Sequence, residues 1–159
     1  MTVQTDEGPL HVIGIYVPSR DATQTKTTRK RTFLEGLRTG VPEGTDGHRV
    51  MIGDFNILEP NHIPRYRSFH QFEYDFYGWL GGVGYRDAFR MMHPFAAEHS
   101  WVGQTGDGHR YDHAHVSADL GTAVRGCFYV HEPRTGETRL TDHSALSLTW
   151  PSGWWRRCQ

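Results

Sequence analysis

Arg49-Val50-Met51-Ile52-Gly53-Asp54-Phe55-Asn56 is a short apolar run that stops abruptly at an acid. Consecutive Val50, Met51 and Ile52 predict a strand covered on both faces, ending at Asp54. Asp54 and Asn56 lie two positions apart, so their side chains share a side wherever strand geometry persists. A carboxylate can orient water or a metal, and an amide can hold a phosphate oxygen without adding negative charge. An Asx turn leaving a strand accounts for the same two residues, so their meaning depends on the rest of the chain.

Upstream, Leu10 to Val17 is β-branched and mostly apolar, a second buried strand closed by Pro18. Gln24 to Thr39 has helical periodicity: Phe33, Leu34 and Leu37 form a stripe, and Gly40 suits a C-cap. Lys26, Arg29, Lys30 and Arg31 fill much of the remaining surface and predict a solvated face. Downstream of the turn chemistry at Pro42 to Gly47, Phe72, Phe76, Trp79 and Leu80 recur at helical spacing until Gly81-Gly82. Tyr85 to Met92 suits a short helix or turn, and strands are expected over Ser100 to Val102, Arg110 to Ser117, Val124 to His131 and Ala145 to Trp150. Strand, helix, strand, helix and then a run of strands predict mixed α/β layers in one domain over residues 1–150. Residues 151–159, with Trp154-Trp155-Arg156-Arg157, are expected to be a loose tail.

The composition narrows the function. With 159 residues, 22% charged and 36% hydrophobic, the chain is neither collagen-like nor a highly charged disordered polymer. Its net charge of -1 gives no global positive field, so any nucleic-acid site must be local. Two cysteines, Cys127 and Cys158, form no C-x-x-C, which predicts reduced thiols and a cytoplasmic protein. The acidic opening Met1 to Glu7 is not a secretory signal, and no window approaches about 18 consecutive apolar residues, so no membrane partner is expected. G-x-x-x-x-G-K-[ST] and G-x-S-x-G are both absent, which argues against a P-loop ATPase and a serine hydrolase.

Thr141-Asp142-His143-Ser144 places a carboxylate beside an imidazole just before the last strand. Neighbours on a strand point oppositely, so His143 needs a different acid to orient it, and Asp112 could reach it from another strand of the same half. His109, Asp112, His113 and His115 carry zinc-type ligands. His113 and His115 can share a strand face, but Asp112 points away from them and no Cys or H-E-x-x-H helix completes a site, so structural zinc is not expected there.

Taken in order, Gly14-Ile15-Tyr16-Val17-Pro18, Met51 to Asn56, Tyr85-Arg86-Asp87-Ala88-Phe89-Arg90 with His93-Pro94, Ser100-Trp101, Arg110-Tyr111-Asp112 and Thr141 to Ser144 resemble the endonuclease/exonuclease/phosphatase superfamily, most closely its exonuclease III-like branch. The resemblance runs from about His11 to Trp150. It implies a four-layer α/β/β/α sandwich with a site at one end of the packed sheets, and a Mg²⁺- or Mn²⁺-dependent phosphodiester hydrolase. DNA is the expected partner, as an abasic or nicked duplex in repair. A phosphoinositide or sphingolipid phosphodiesterase and an inactive nucleic-acid-binding fragment are the alternatives.

By the same resemblance, His143 is a general base or stabilises the attacked phosphate, Asp112 orients it, and Asp142 is a metal-site carboxylate. Asp54 positions or deprotonates the attacking water, Asn56 holds a phosphate oxygen, and Tyr16 lies close to the same phosphate. Trp101 and Arg110 resemble substrate-side positions. The family also has an earlier half-domain with an Asn and a Glu metal ligand that match nothing here, so the chain is expected to be a carboxy-terminal half. A misassigned start or a truncated gene is the expected reason, and an apolar face left uncovered is the expected consequence.

Overall fold

The computed structural model describes residues 1–154. In chain order it contains β1 (Thr2–Thr5), β2 (Gly8–Tyr16), α1 (Gln24–Gly40), β3 (Arg49–Asp54), α2 (Gln71–Gly82), β4 (Tyr85–Asp87) and α3 (Ala88–Met92). There follow β5 (Trp101–Val102), β6 (Gly108–His109), β7 (Asp112–Ser117), α4 (Ala118–Ala123), β8 (Gly126–Val130), α5 (Glu132–Thr135) and β9 (Ala145–Thr149).

The two apolar runs become the centre of the molecule. β2 and β3 pair in parallel, and β7 joins β3 antiparallel, within a five-stranded sheet of order β1-β2-β3-β7-β4. Alternation then sends side chains to two separate cores. Ile15, Met51 and Tyr85 pack with Leu34 of α1 and with Phe76 and Leu80 of α2. Leu10, Val50, Ala114 and Val116 face the other way, against Phe89, Leu120, Cys127 and Tyr129. Leu146 and Leu148 join that second core from β9, which pairs antiparallel with β8.

Helices, the large sheet and the β8–β9 pair are thus stacked in layers, as the α/β/β/α expectation requires. The outward face of β8 carries Phe128 and Val130, 47% and 39% exposed, which is the modest extent of its uncovered apolar surface. Among the described residues no helix is long and apolar enough to cross a membrane.

Several local expectations are corrected. β1 is a short polar edge strand that the apolar pattern does not announce. Tyr85 to Met92 divides into a strand that pairs with β7 and a helix capped by Asp87, whose side chain accepts from Arg90 N at 3.0 Å. Lys30 is not on a solvated face. It is 1% exposed, because its ammonium is paired with Glu73 Oε1 at 2.6 Å. Trp154 is not part of a loose tail: its ring lies 5.1 Å from that of His48, and its carbonyl accepts from Asp6 N at 3.2 Å. Trp155, Arg156 and Arg157 lie outside the described residues.

Candidate active site

Register builds the site. Tyr16 pairs with Asp54 across β2 and β3, and Asp54 pairs with Asp112 across β3 and β7. Residues paired across a sheet share a face, so one phenol and two carboxylates form a row at the end of three neighbouring strands. Gly53 permits this row. Its φ is +144°, and a Cβ there would stand 2.0 Å from the Ile15 carbonyl oxygen, so only glycine lets β3 approach β2 this closely.

Loops complete the arrangement. Ser100 Oγ accepts from the backbone N–H groups of Tyr111 and Asp112, both at 3.0 Å, and Ser100 O accepts from Ser144 N at 2.7 Å. Trp101 and His143 meet in an isolated antiparallel bridge. His143 Nδ1 consequently lies 2.7 Å from Asp112 Oδ2, and Asp142 points away to accept from the Trp101 indole N–H at 2.9 Å.

These groups line one cleft of about 1000 Å³. Of the residues expected at the site, the structure brings together Tyr16, Asp54, Asn56, Trp101, Asp112, Asp142 and His143. Arg110 does not line the cleft. Its fully buried guanidinium binds Asp87 Oδ2 at 2.6 Å and Glu59 Oε2 at 3.0 Å, joining β4 to the loop after β3. Its neighbour Tyr111 lines the cleft instead, with Phe69.

Asn56 has a left-handed φ of 48°, a conformation that asparagine tolerates better than most residues. Both of its amide hydrogens are committed within the chain, to Val17 O at 3.0 Å and Asp54 Oδ2 at 2.7 Å. Holding a phosphate oxygen would require releasing one of them. Lys30 supports this turn from below by donating to Asn56 O, while Glu73 also binds Arg20 at 2.6 Å. Arg20, Lys30 and Glu73 line the cleft but were not expected there. For Lys30 a signal existed: it stands four and seven positions before Leu34 and Leu37, on the apolar stripe of α1.

The environments separate the titrating groups. Burial, with the nearby Asp112 charge, raises the Asp54 pKa to about 6 despite the Asn56 N–H that it accepts. The hydrogen bond to Asp112 outweighs burial and raises the His143 pKa, favouring imidazolium. The Trp101 N–H lowers that of Asp142, which stays a carboxylate. Burial pulls the Lys30 pKa down.

As a metal site the cleft is partial. Its acids are oxygen donors, the kind that hard ions such as Mg²⁺ and Mn²⁺ prefer, and the burial cost on Asp54 is of the sort that a cation relieves. Among the described residues, however, the only three ligand atoms gathered within 4.8 Å belong to Asp87, His113 and His115, outside the cleft.

No family model matches the chain, and no curated protein sequence does. Solved structures do. An AP endonuclease from Archaeoglobus fulgidus matches with a TM-score of 0.75 and 23% identity, over 89% of this chain and 61% of that one. A 3′ phosphatase from Neisseria, bound to a product DNA hairpin, matches with a TM-score of 0.79 and 23% identity, over 94% of this chain and 63% of that one. The chain has their fold. The catalytic domain of APE2 from Xenopus laevis also matches, with a TM-score of 0.69 and 20% identity, over 94% of this chain and 52% of that one. The shared fold is the layered α/β one that the resemblance of the motifs implies. The chain spans between half and two thirds of the length of these structures.

Proposed function

We propose that this cleft hydrolyses phosphodiester bonds in DNA with the help of a divalent metal ion. The observation that carries the reading is the Asp112–His143 contact at 2.7 Å, placed at the end of the Tyr16, Asp54, Asp112 row. A phosphodiester is anionic, so attack by water needs a proton acceptor on one side and positive charge or neutral donors on the other.

Two titrating groups with displaced pKa values suit those two tasks. Asp54, at about 6, is a carboxylate at neutral pH and basic enough to orient water and take its proton. His143, whose imidazolium Asp112 favours, would offset the charge developing on the attacked phosphate. Tyr16 is 71% exposed at the cleft and can donate its hydroxyl to a phosphate oxygen. Asn56 would offer an amide hydrogen to the same group on release from Asp54 or Val17. A Mg²⁺ or Mn²⁺ ion, held in part by Asp142, would neutralise phosphate charge. Water and phosphate oxygens would fill the rest of its coordination.

The AP endonuclease and the 3′ phosphatase bound to a DNA hairpin among the matched structures support DNA, and the aromatic wall of Phe69, Trp101 and Tyr111 suits a sugar or base beside the scissile bond. Repair of abasic or nicked duplexes is the proposed role. The test compares Mg²⁺-dependent turnover of an abasic-site duplex with that of a water-soluble phosphoinositide headgroup. Preferential cleavage of the duplex is expected. Preferential turnover of the headgroup would reassign the substrate.

A further inference from the structure

On the sheet face covered by α2, Asp87 of β4 stands opposite His115 of β7, with His113 two residues along on the same face. One ligand atom from each lies within 4.8 Å of the others, and the three residues are 9%, 2% and 0% exposed in that order. By strand alternation Asp112 should point away from the two histidines. It does, but Asp87 arrives from the neighbouring strand and takes that place.

The hydrogen bonding of this cluster is incomplete in a specific way. His113 Nε2 is 3.1 Å from Ile57 O, a group that can only accept, so this nitrogen carries the hydrogen. Its Nδ1 faces Asp87 Oδ2 at the longer distance of 3.4 Å. That oxygen accepts at shorter range from Arg110 Nη2 at 2.6 Å and from the Tyr77 hydroxyl at 2.8 Å. His115 has buried Nδ1 and Nε2 atoms and a partner for neither.

We infer that Asp87, His113 and His115 bind a transition-metal ion, with zinc the best match to two imidazoles and one carboxylate. Such an ion gives the buried, unpartnered His115 ring a partner beside Asp87 and His113. Arg110, which also binds Asp87, does not forbid this. Arg110 is shared with Glu59, which Arg90 also pairs, so the ion joins a cluster in which two guanidiniums already balance two carboxylates. Access is available through a second cleft of about 380 Å³ lined by Tyr77, Asp87, Arg90 and His115, wide enough for a water to complete a tetrahedral sphere. The site is independent of the reaction proposed for the main cleft.

The chain, stripped with EDTA, is titrated with Co²⁺ as an optical probe and competed with Zn²⁺. The expected result is one Co²⁺ per chain with the intense visible bands of a four-coordinate, nitrogen-ligated ion, displaced by Zn²⁺. The bands should persist in the Asp54→Asn, Asp142→Asn double variant and disappear in His115→Phe. Only the weak bands of an oxygen-ligated ion, or bands that survive His115→Phe, would overturn the assignment. If His115→Phe fails to fold, imidazole ¹⁵N spectra of the wild-type chain decide. Zinc should shift the ring nitrogens of two buried histidines, and spectra that do not change with zinc would end the proposal.

Discussion

Asp112 Oδ2 and His143 Nδ1 meet at 2.7 Å although 31 residues separate them along the chain. Asp112 is fixed at the start of β7 by its pairing with Asp54, and His143 by its bridge to Trp101. Their contact therefore reports whether the sheet end and the returning loop are correctly assembled.

Asp112→Asn should lower the His143 pKa toward the ordinary imidazole value, because the hydrogen bond to the carboxylate is the main cause of the upward shift. A raised folded pKa stabilises the protein below the unfolded value of about 6.5, and that stability is lost as pH rises through the folded value. The variant should consequently lose more stability at pH 5.5 than at pH 9. Imidazole NMR titration and denaturant melts at the two pH values check both statements. Loss of the oriented ring should also cost about 10² to 10⁴-fold in kcat.

Asp54→Asn should abolish turnover and yet stabilise the fold at neutral pH. The folded pKa of Asp54 is raised to about 6 by burial, so the carboxylate is charged at a cost above that pH. Below about pH 4 it is neutral in both folded and unfolded states and the cost vanishes. The Tm difference between variant and wild type should therefore grow as pH rises from 4 through 6. A difference independent of pH would show that Asp54 is not held in this way.

Gly53→Ala should be disruptive despite its small size. The new methyl group would lie 2.0 Å from the Ile15 carbonyl oxygen at a φ of +144°. Backbone strain of this kind costs about 1–3 kcal/mol before the clash is counted. Urea melts should show at least that loss, with cleft activity falling as the row at the ends of β2 and β3 comes apart.

Arg110→Ala tests a structural reassignment. Glu59 and Asp87 would be left as buried charges without their shared partner, a change that costs about 3–5 kcal/mol. The account expects a large drop in stability by denaturant melt. Weakened substrate binding at unchanged stability would instead return Arg110 to the substrate side.

Much of this was legible in the sequence because the decisive features are local. Val50-Met51-Ile52 and the run from Leu10 to Val17 announce buried strands by composition alone, and Asp54 after the one and Pro18 after the other mark where they stop. Tyr16, Asp54, Asn56, Trp101, Asp112, Asp142 and His143 do converge. What was not legible depends on distant partners. Lys30 looks solvated until Glu73, 43 residues on, buries it. Arg110 looks available until Glu59 and Asp87 enclose it. β1 has the composition of a loop, and only its pairing with β2 makes it a strand.

The most direct test of the central claim is Mg²⁺-dependent cleavage of an abasic-site duplex by the full protein carrying this cleft, in wild-type and His143→Ala forms. The account predicts metal-dependent cleavage by the wild type, and a loss of about 10² to 10⁴-fold in the variant with duplex binding retained. Near-normal turnover in His143→Ala would contradict it.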